Sequence, residues 1–371
     1  MLELIKEIRQ NLYKWIAFML VFISIYAFYY YLTPVYVYVV SSPYVGPAMI
    51  KGFADAYNQH SRSIMPVRVV DFVVEDNEKA MESFMGKLRE DMISGRRVVA
   101  IVGTDISSET RLLLAELSNK AFNIPVISQS SSSPELQKLY PRFFRLIYND
   151  EIAVSSFAKW YVEKGPSKPV IVLWDKQNAT WSKAVASVFS KYAAKKVVDV
   201  VKVDIGNPEE VKNIVDTVLK EHHYFPDDVY IFLVDYKLSN IYKVTLALSD
   251  RYKNFLMTDS VVKYMYASWL PDDINLYVYY LPVQKPMRFD VDYDYDLSFD
   301  TLNVVLNLVG KGFRSSGAVY RALQGVNYLG RSGMVRFVYE DGVYERVFSD
   351  IAILKEEGGT WRFITLESTQ P

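Results

Sequence analysis

The chain has 371 residues, half of them hydrophobic, enough for two domains with substantial cores. Its formal charge of −1, with the charges dispersed, carries no electrostatic footprint for nucleic acid. Cysteine is absent, which excludes disulfides, thiolate catalysis, cysteine-ligated zinc and a cysteine-attached lipid anchor.

The first predicted element is an apolar helix. Trp15 to Leu32 reads W-I-A-F-M-L-V-F-I-S-I-Y-A-F-Y-Y-Y-L, with no charged residue before Pro34. A bilayer core takes about 17–25 apolar residues, so this stretch is long enough to span. Lys6, Arg9 and Lys14 precede it and the next charge is Lys51. The positive-inside rule therefore predicts residues 1–13 in the cytoplasm and everything after Pro34 outside. Tyr13 and Trp15 at one end and Tyr29 to Tyr31 at the other match interfacial aromatic belts. No small-x-small site follows, so 1–34 reads as a cytoplasmic tip and an uncleaved signal anchor.

Beyond the anchor, strand and helix patterns alternate. Val35–Val40 is an apolar run, Gly46-Pro47 opens a helix to about His60, Val67–Val74 is a second strand, and 77–94 is an amphipathic helix. Val98–Val102 and Ile124–Ile127 are short buried strands, with leucines at helical spacing between Glu109 and Phe122. The rhythm restarts after Asp150. Strands are predicted at 169–174, 197–203, 229–234 and 255–257, with helices near 182–195, 208–222 and 238–252. Repeated βαβ units imply two parallel-sheet domains with right-handed crossovers. A strand at 277–281 and helices near 299–309 and 318–324 follow. From Met334 the pattern turns antiparallel, with tight turns at Glu340-Asp-Gly342 and Gly358-Gly359.

Each of the two short strands leads into a serine-rich turn: Gly103-Thr-Asp-Ile-Ser107-Ser108, and Ser128-Gln-Ser130-Ser-Ser132-Ser-Pro134. In a parallel sheet both turns fall at carboxyl ends of neighbouring strands, where open α/β sheets bind ligands. Hydroxyls and helix-start N–H groups there suit a carboxylate-bearing ligand; the competing reading is simple helix capping. Other signals are weaker. The alternation Asp290–Asp296 lacks the glycine and glutamate of a calcium loop and reads as a solvated acidic strand edge. Asp175 and Asp235 follow strands and either face a cleft or cap helices. His222-His223 reads as a dipole-compensating helix end. No nucleophile elbow, phosphate loop or H-E-x-x-H motif is present, so catalysis is not supported, and no cofactor or metal site is expected.

From about Val35 to the end, the chain resembles the type I periplasmic solute-binding proteins, on the branched-chain amino-acid-binding branch. The blocks that carry the resemblance are Ser128–Leu136, Phe143-Phe-Arg-Leu with Asp150 following, and Trp174-Asp-Lys-Gln177. Weaker ones are Phe255-Leu-Met-Thr-Asp259, Phe299-Asp300-Thr and Gly330-x-x-Gly333-x-Val-x-Phe337, with Gly342 and Trp361 downstream. The resemblance implies an α/β fold of two parallel-sheet lobes joined by three crossovers, closing on a ligand by a hinge. The lobe boundaries expected are 35–147 with 281–333 for the first lobe, and 148–280 with 334–371 for the second.

Carried over by position, the resemblance makes Ser107 the hydroxyl of the first turn, Ser130 a backbone contact and Ser132 a hydroxyl reaching both charged groups of an amino acid. Asp259 falls where an acidic residue pairs with the ammonium; its own residues equally allow a helix cap. Where relatives have an aromatic followed by glycine, this chain reads Asn178-Ala-Thr180-Trp181, so either Thr180 or Trp181 takes that place. Asn178 also heads a glycosylation sequon, which favours exposure. Tyr44, in the loop after the first strand, either lines the cleft or sits on a surface turn. The function this implies is an anchored extracytoplasmic protein capturing a small polar ligand, an amino acid first, for an ABC permease. A sensor ectodomain working through a membrane partner and a non-binding structural relative are the alternatives.

Overall fold

The computed structural model describes residues 2–43, 46–60, 66–75, 77–262, 270–271, 273–280, 293–347, 350–357 and 360–368. Among these, a helix α1 (Leu2–Leu32) precedes two mixed sheets in two lobes. The first sheet contains β1 (Val35–Ser41), β2 (Val67–Val73), β3 (Arg97–Gly103), β4 (Val126–Ser128) and β5 (Phe143–Arg145), all parallel. The second contains β6 (Val170–Asp175), β7 (Val197–Val203), β8 (Tyr230–Val234), β9 (Asn254–Met257) and β10 (Asn275–Tyr280), also parallel. Continuous apolar runs such as Val98–Val102 are buried on both faces, as a helix-covered parallel sheet requires.

The helices between strands follow the βαβ rhythm: α2 (Pro47–His60), α3 (Glu78–Ile93) and α4 (Ser107–Asn119), then α5 (Asp150–Glu163), α6 (Ala179–Tyr192), α7 (Pro208–His222) and α8 (Leu238–Leu248). After β10 the chain returns to the first lobe with α9 (Tyr293–Gly310), packed on α2, and α10 (Ser316–Gln324), packed on β3. The α2–α9 approach depends on Gly52, where a Cβ would stand 2.5 Å from the Tyr295 carbonyl oxygen. That closeness sets the start of α9 against the first lobe.

Two expectations are corrected. The stretch 334–371 does not go as a unit to the second lobe. Strands β11 (Asn327–Gly330), β12 (Gly333–Glu340) and β13 (Val343–Arg346) extend the first sheet, with β13 parallel to β5 through Tyr344 and Phe144. Those two rings stack at 4.4 Å, and buried Asp300 of α9 accepts the N–H groups of Arg331 and Ser332. Only β14 (Asp350–Glu357) and β15 (Thr360–Ser368) join the second sheet, so the third crossover comes after Arg346. The acidic stretch, where described, is not a solvated strand edge. Asp294 and Asp296 are buried in the first turn of α9, where carboxylates complement the helix dipole.

One hydrophobic cluster runs continuously between the lobes, through Ile147, Tyr148, Tyr279 and Leu297 at the crossover region. Separate clusters fill the outer face of each lobe. Within α1, Asn11–Leu32 has a mean hydropathy of 1.8 and none of it is buried, so it is long and apolar enough to cross a membrane. Its end is fixed to the first lobe. Arg97 Nη2 donates to the carbonyls of Tyr30 (2.9 Å) and Thr33 (2.6 Å), and buried Arg314 donates to Thr33 (2.5 Å). Terminal helix carbonyls have no intrahelical donor, and these guanidinium groups supply one.

Candidate functional site

A cavity of about 180 Å³ opens between the lobes, beyond the carboxyl ends of β1, β3 and β4 on one side and β6, β8 and β9 on the other. That is where an open parallel sheet presents its loops. On the first-lobe side it is lined by Ser42, Asp105, Ser107, Ser130 and Ser132, with Asp294 from the start of α9. On the second-lobe side stand Asn178, Trp181, Tyr236, Asp259 and Ser260. Ile147, at the first crossover, lines it between them, and Met49 and Ile106 add apolar surface on the first-lobe side.

The two serine turns are tied to each other more than to their helices. Gly103 ends β3 at φ +107°, and a Cβ there would sit 1.9 Å from the Val40 carbonyl oxygen, so the first turn starts on a residue only glycine supplies. Ser128 Oγ and Ser131 Oγ donate to the Thr104 carbonyl at 2.8 and 3.0 Å, and the hydroxyls of Thr110 and Ser131 lie 2.6 Å apart. Ser107 Oγ accepts the Ser133 N–H at 3.2 Å. Ser133 acts as a cap, accepting from Glu135 N–H at 3.3 Å. Buried Arg145 then holds the second turn from behind. Its Nη1 and Nη2 donate to the carbonyls of Ser132 (3.0 Å) and Ser133 (2.9 Å), and Nη1 lies 3.5 Å from Glu345.

Asp150, at the start of α5, joins the walls. Its Oδ2 accepts Ser132 Oγ–H at 2.7 Å and Trp181 Nε1–H at 2.7 Å, while its own N–H donates to the Ser132 carbonyl at 3.0 Å. Burial pushes the Asp150 carboxyl up to about 7 against the Ser132 hydrogen bond; neighbouring Asp259 adds repulsion, and Arg145 opposes it. Asp105 is likewise pushed up to about 7 by burial, opposed by the Ser42 N–H and reinforced by Asp294. Tyr148 hydrogen-bonds Asp259, and burial first, then that carboxylate, raise the phenol well above its usual range.

Of the residues expected from sequence, Ser107, Ser130, Ser132, Trp181 and Asp259 converge on this cavity. Thr180 does not line it; its carbonyl accepts Ser133 Oγ–H at 3.3 Å. Tyr44 lies outside the described residues. Asn178 is buried at the cavity rather than exposed as its sequon favours. Asp175 and Asp235 do not line it either: Asp175 accepts Ile205 N–H (3.3 Å), and Asp235 accepts Lys237 N–H (3.0 Å) and Asn240 Nδ2–H (2.9 Å), bracing loops. Asp105, Asp294 and Tyr236 were missed. Asp105 stands inside the first serine turn, and Tyr236 directly follows Asp235 at a strand end; both positions carried the signal.

The family model described as receptor family ligand binding region matches residues 56–266, more than half of the chain. No curated protein sequence matches significantly. Among solved structures, the chain is similar to the leucine-binding protein LivK of Thermotoga maritima, with TM-score 0.69 and 14% identity, covering 90% of this chain and 99% of that one. It is similar to the branched-chain amino acid transporter substrate-binding protein LivJ of Streptococcus pneumoniae, in complex with isoleucine, with TM-score 0.70 and 16% identity over 91% and 100% of the two chains. A solute-binding protein of an ABC transporter from Rhodopseudomonas palustris, in complex with p-hydroxybenzoic acid, is similar at TM-score 0.70 and 14% identity over 91% and 98%. At such identities the likeness speaks for the fold, and the family model speaks for descent. This chain belongs to the receptor family ligand-binding-region proteins and has the type I periplasmic-binding-protein fold.

Proposed function

We propose that the chain is a membrane-anchored, extracytoplasmic solute-binding protein that captures a small polar ligand, an amino acid first, and delivers it to an ABC-type importer without chemical turnover. One observation carries this reading: serine turns of the first lobe and Trp181 and Asp259 of the second line a single cavity between the sheets. In this scheme Ser107 Oγ–H and nearby turn N–H groups receive the carboxylate, Asp259 takes the ammonium, and Trp181 covers the ligand. A buried ammonium needs such a partner, because an unpaired charge out of water costs several kcal/mol. Structural neighbours whose names include amino-acid binding and ABC transport support the assignment.

Calorimetry of the 371-residue chain in detergent against an amino-acid panel tests it. Asp259→Ala is expected to weaken the best binder by about 2–5 kcal/mol, the usual cost of stranding one buried charge. Unchanged affinity in that variant would rule out the proposed clamp. A sensor acting through a membrane partner is a second reading, favoured by the arginine ties between α1 and the first lobe. Crosslinking in native membranes separates the two: an ABC permease as the captured neighbour supports delivery, a signalling protein in its place the sensor.

A further inference from the structure

α1 ends at Leu32 and β1 begins at Val35, so only Thr33 and Pro34 separate the apolar helix from the first sheet. Two extended residues reach at most about 7 Å, and the headgroup layer of one leaflet is about 5–7 Å thick. A lobe attached so closely stands at the surface its helix enters. β1, β2 and β3 run parallel from that end, so Val35, Val67 and Arg97 share one edge of the sheet. The cleft lies beyond the opposite edge, about 20 Å away along the seven residues of β1.

This edge carries apolar side chains that the core does not use. Ile93, at the end of α3, is 78% exposed, and Phe313, just past α9, is 38% exposed. Both stand next to the arginines that grip α1. Ile93 precedes Arg97 by four residues, and Phe313 directly precedes Arg314. The turn before Phe313 also lies against the helix, since a Cβ on Gly312 would stand 3.9 Å from the Tyr31 hydroxyl. The two tips approach from opposite faces of the sheet. Val37 and Val39 of β1 share a core cluster with Leu302 and Val305 of α9, and Tyr38 and Val40 share another with Met81 and Phe84 of α3. Alternate residues of a strand face opposite sides, so Ile93 and Phe313 flank the end of α1. Basic residues surround them. Arg68, Arg96 and Arg142 stand at the entries of β2, β3 and β5, with Arg96 also paired to Asp91 at 2.9 Å, and exposed Lys311 lies two residues before Phe313. Such guanidinium and ammonium groups match phosphate oxygens.

We infer that this edge of the first lobe is seated in the headgroup layer of the membrane that holds α1, with Ile93 and Phe313 dipping in on either side of the helix and the basic residues meeting lipid phosphates; this rests on the membrane-anchor reading and adds an orientation to it. A protein partner on the same edge would have to fit between the lobe and a bilayer about one headgroup layer away. Tyr29 to Tyr31, at the end of α1, belong to the same interfacial zone, where aromatic rings concentrate. The first lobe is then a fixed base with its cleft turned away from the bilayer. The second lobe, whose strands also point their carboxyl ends at the cleft, has its own amino-terminal edge at the far end of the molecule and is the part left to move.

The test is fluorescence quenching on the 371-residue chain in nanodiscs of equal parts phosphatidylcholine and phosphatidylglycerol. Because the chain has no cysteine, one introduced thiol carries one fluorophore. Ile93→Cys and Phe313→Cys report the proposed seat. Phe225→Cys is the control, an apolar residue 74% exposed just before β8 at the far end. With nitroxide on the lipid headgroups, quenching at 93 and at 313 is expected to be several-fold stronger than at 225. Lys311→Cys serves if Phe313→Cys does not fold. Phe22→Cys, read with nitroxide on the acyl chains, reports the anchor separately. Strong quenching at 22, with either edge position quenched no more than 225, overturns the seat and leaves the anchor standing. No quenching at 22 overturns both.

Discussion

The two walls of the cleft are built differently. The first-lobe wall is a cross-braced unit: Ser128 to Thr104 at 2.8 Å, Thr110 to Ser131 at 2.6 Å, Arg145 to Ser133 at 2.9 Å. The described contacts that reach across from the second lobe converge on one place: Ser133 Oγ to the Thr180 carbonyl and Trp181 Nε1 to Ser132 Oγ, both 3.3 Å, and the Asp150 carboxyl, which takes Ser132 Oγ–H and Trp181 Nε1–H at 2.7 Å. The first lobe also holds the end of α1 through Arg97 and Arg314. A wall braced within itself and tied to the helix is pre-formed, whereas contacts across the cleft that converge on the single Asp150 carboxyl leave the other lobe a pivot on which to swing. Pre-organisation on one side and mobility on the other is the division that hinge closure needs.

The largest test of that comparison is Arg145→Met. It removes the clamp on the Ser132 and Ser133 carbonyls and strands Glu345, whose carboxyl is already raised by burial and lowered by Arg145. Breaking a buried pair by removing one partner costs about 3–5 kcal/mol. Urea unfolding of the 371-residue chain in detergent measures it. A loss below about 1 kcal/mol would show that the first wall holds without its brace, and the contrast between the walls would fail.

Asp150 gives a pH signature. Its folded carboxyl is raised from 3.8 to about 7, chiefly by burial, with Asp259 adding repulsion and Arg145 opposing. Below about pH 4 it is protonated folded or unfolded and contributes nothing to the pH dependence. Between 4 and 7 the unfolded chain releases a proton that the folded chain keeps, so stability falls as pH rises, by on the order of 2–4 kcal/mol in all. Above 7 the penalty is constant. In Asp150→Asn the amide oxygen still accepts from Ser132 and Trp181, but nothing titrates. Melting temperatures at pH 5, 6.5 and 8 are expected to fall less steeply in the variant; parallel curves would remove Asp150 from the account.

Much of this site was legible in the chain, for a physical reason. Short apolar strands such as Val98–Val102 place the next residues at the sheet's carboxyl edge, so Ser107, Ser130, Ser132 and Asp259 could be located by where strands stop. Asp294 could not, because an alternating Asp-Tyr-Asp-Tyr stretch carries the period of a strand and only packing against α2 makes it a helix start. Nor could the Ser132–Asp150–Trp181 network, which joins residues distant in sequence through a fold-level crossing. The allegiance of β12 and β13 was hidden similarly: an antiparallel hairpin pattern does not say which sheet edge it extends.

The smallest expected effect is also the most discriminating. Trp181→Phe keeps a ring at the cavity and deletes one N–H, which at present reaches Asp150 at 2.7 Å and Ser132 at 3.3 Å. A hydrogen bond to a charged group is worth about 1.5–3 kcal/mol and one to a neutral group about 0.5–1.5. Because Asp150 ionises near 7, the loss belongs to the first class at pH 8 and to the second at pH 5. If the N–H holds Trp181 in its covering position, affinity for the best ligand falls more at pH 8 than at pH 5. Equal losses at both values would mean the indole acts through its area alone. The second wall would then be defined by shape, and its contribution to the clamp would rest on Asp259.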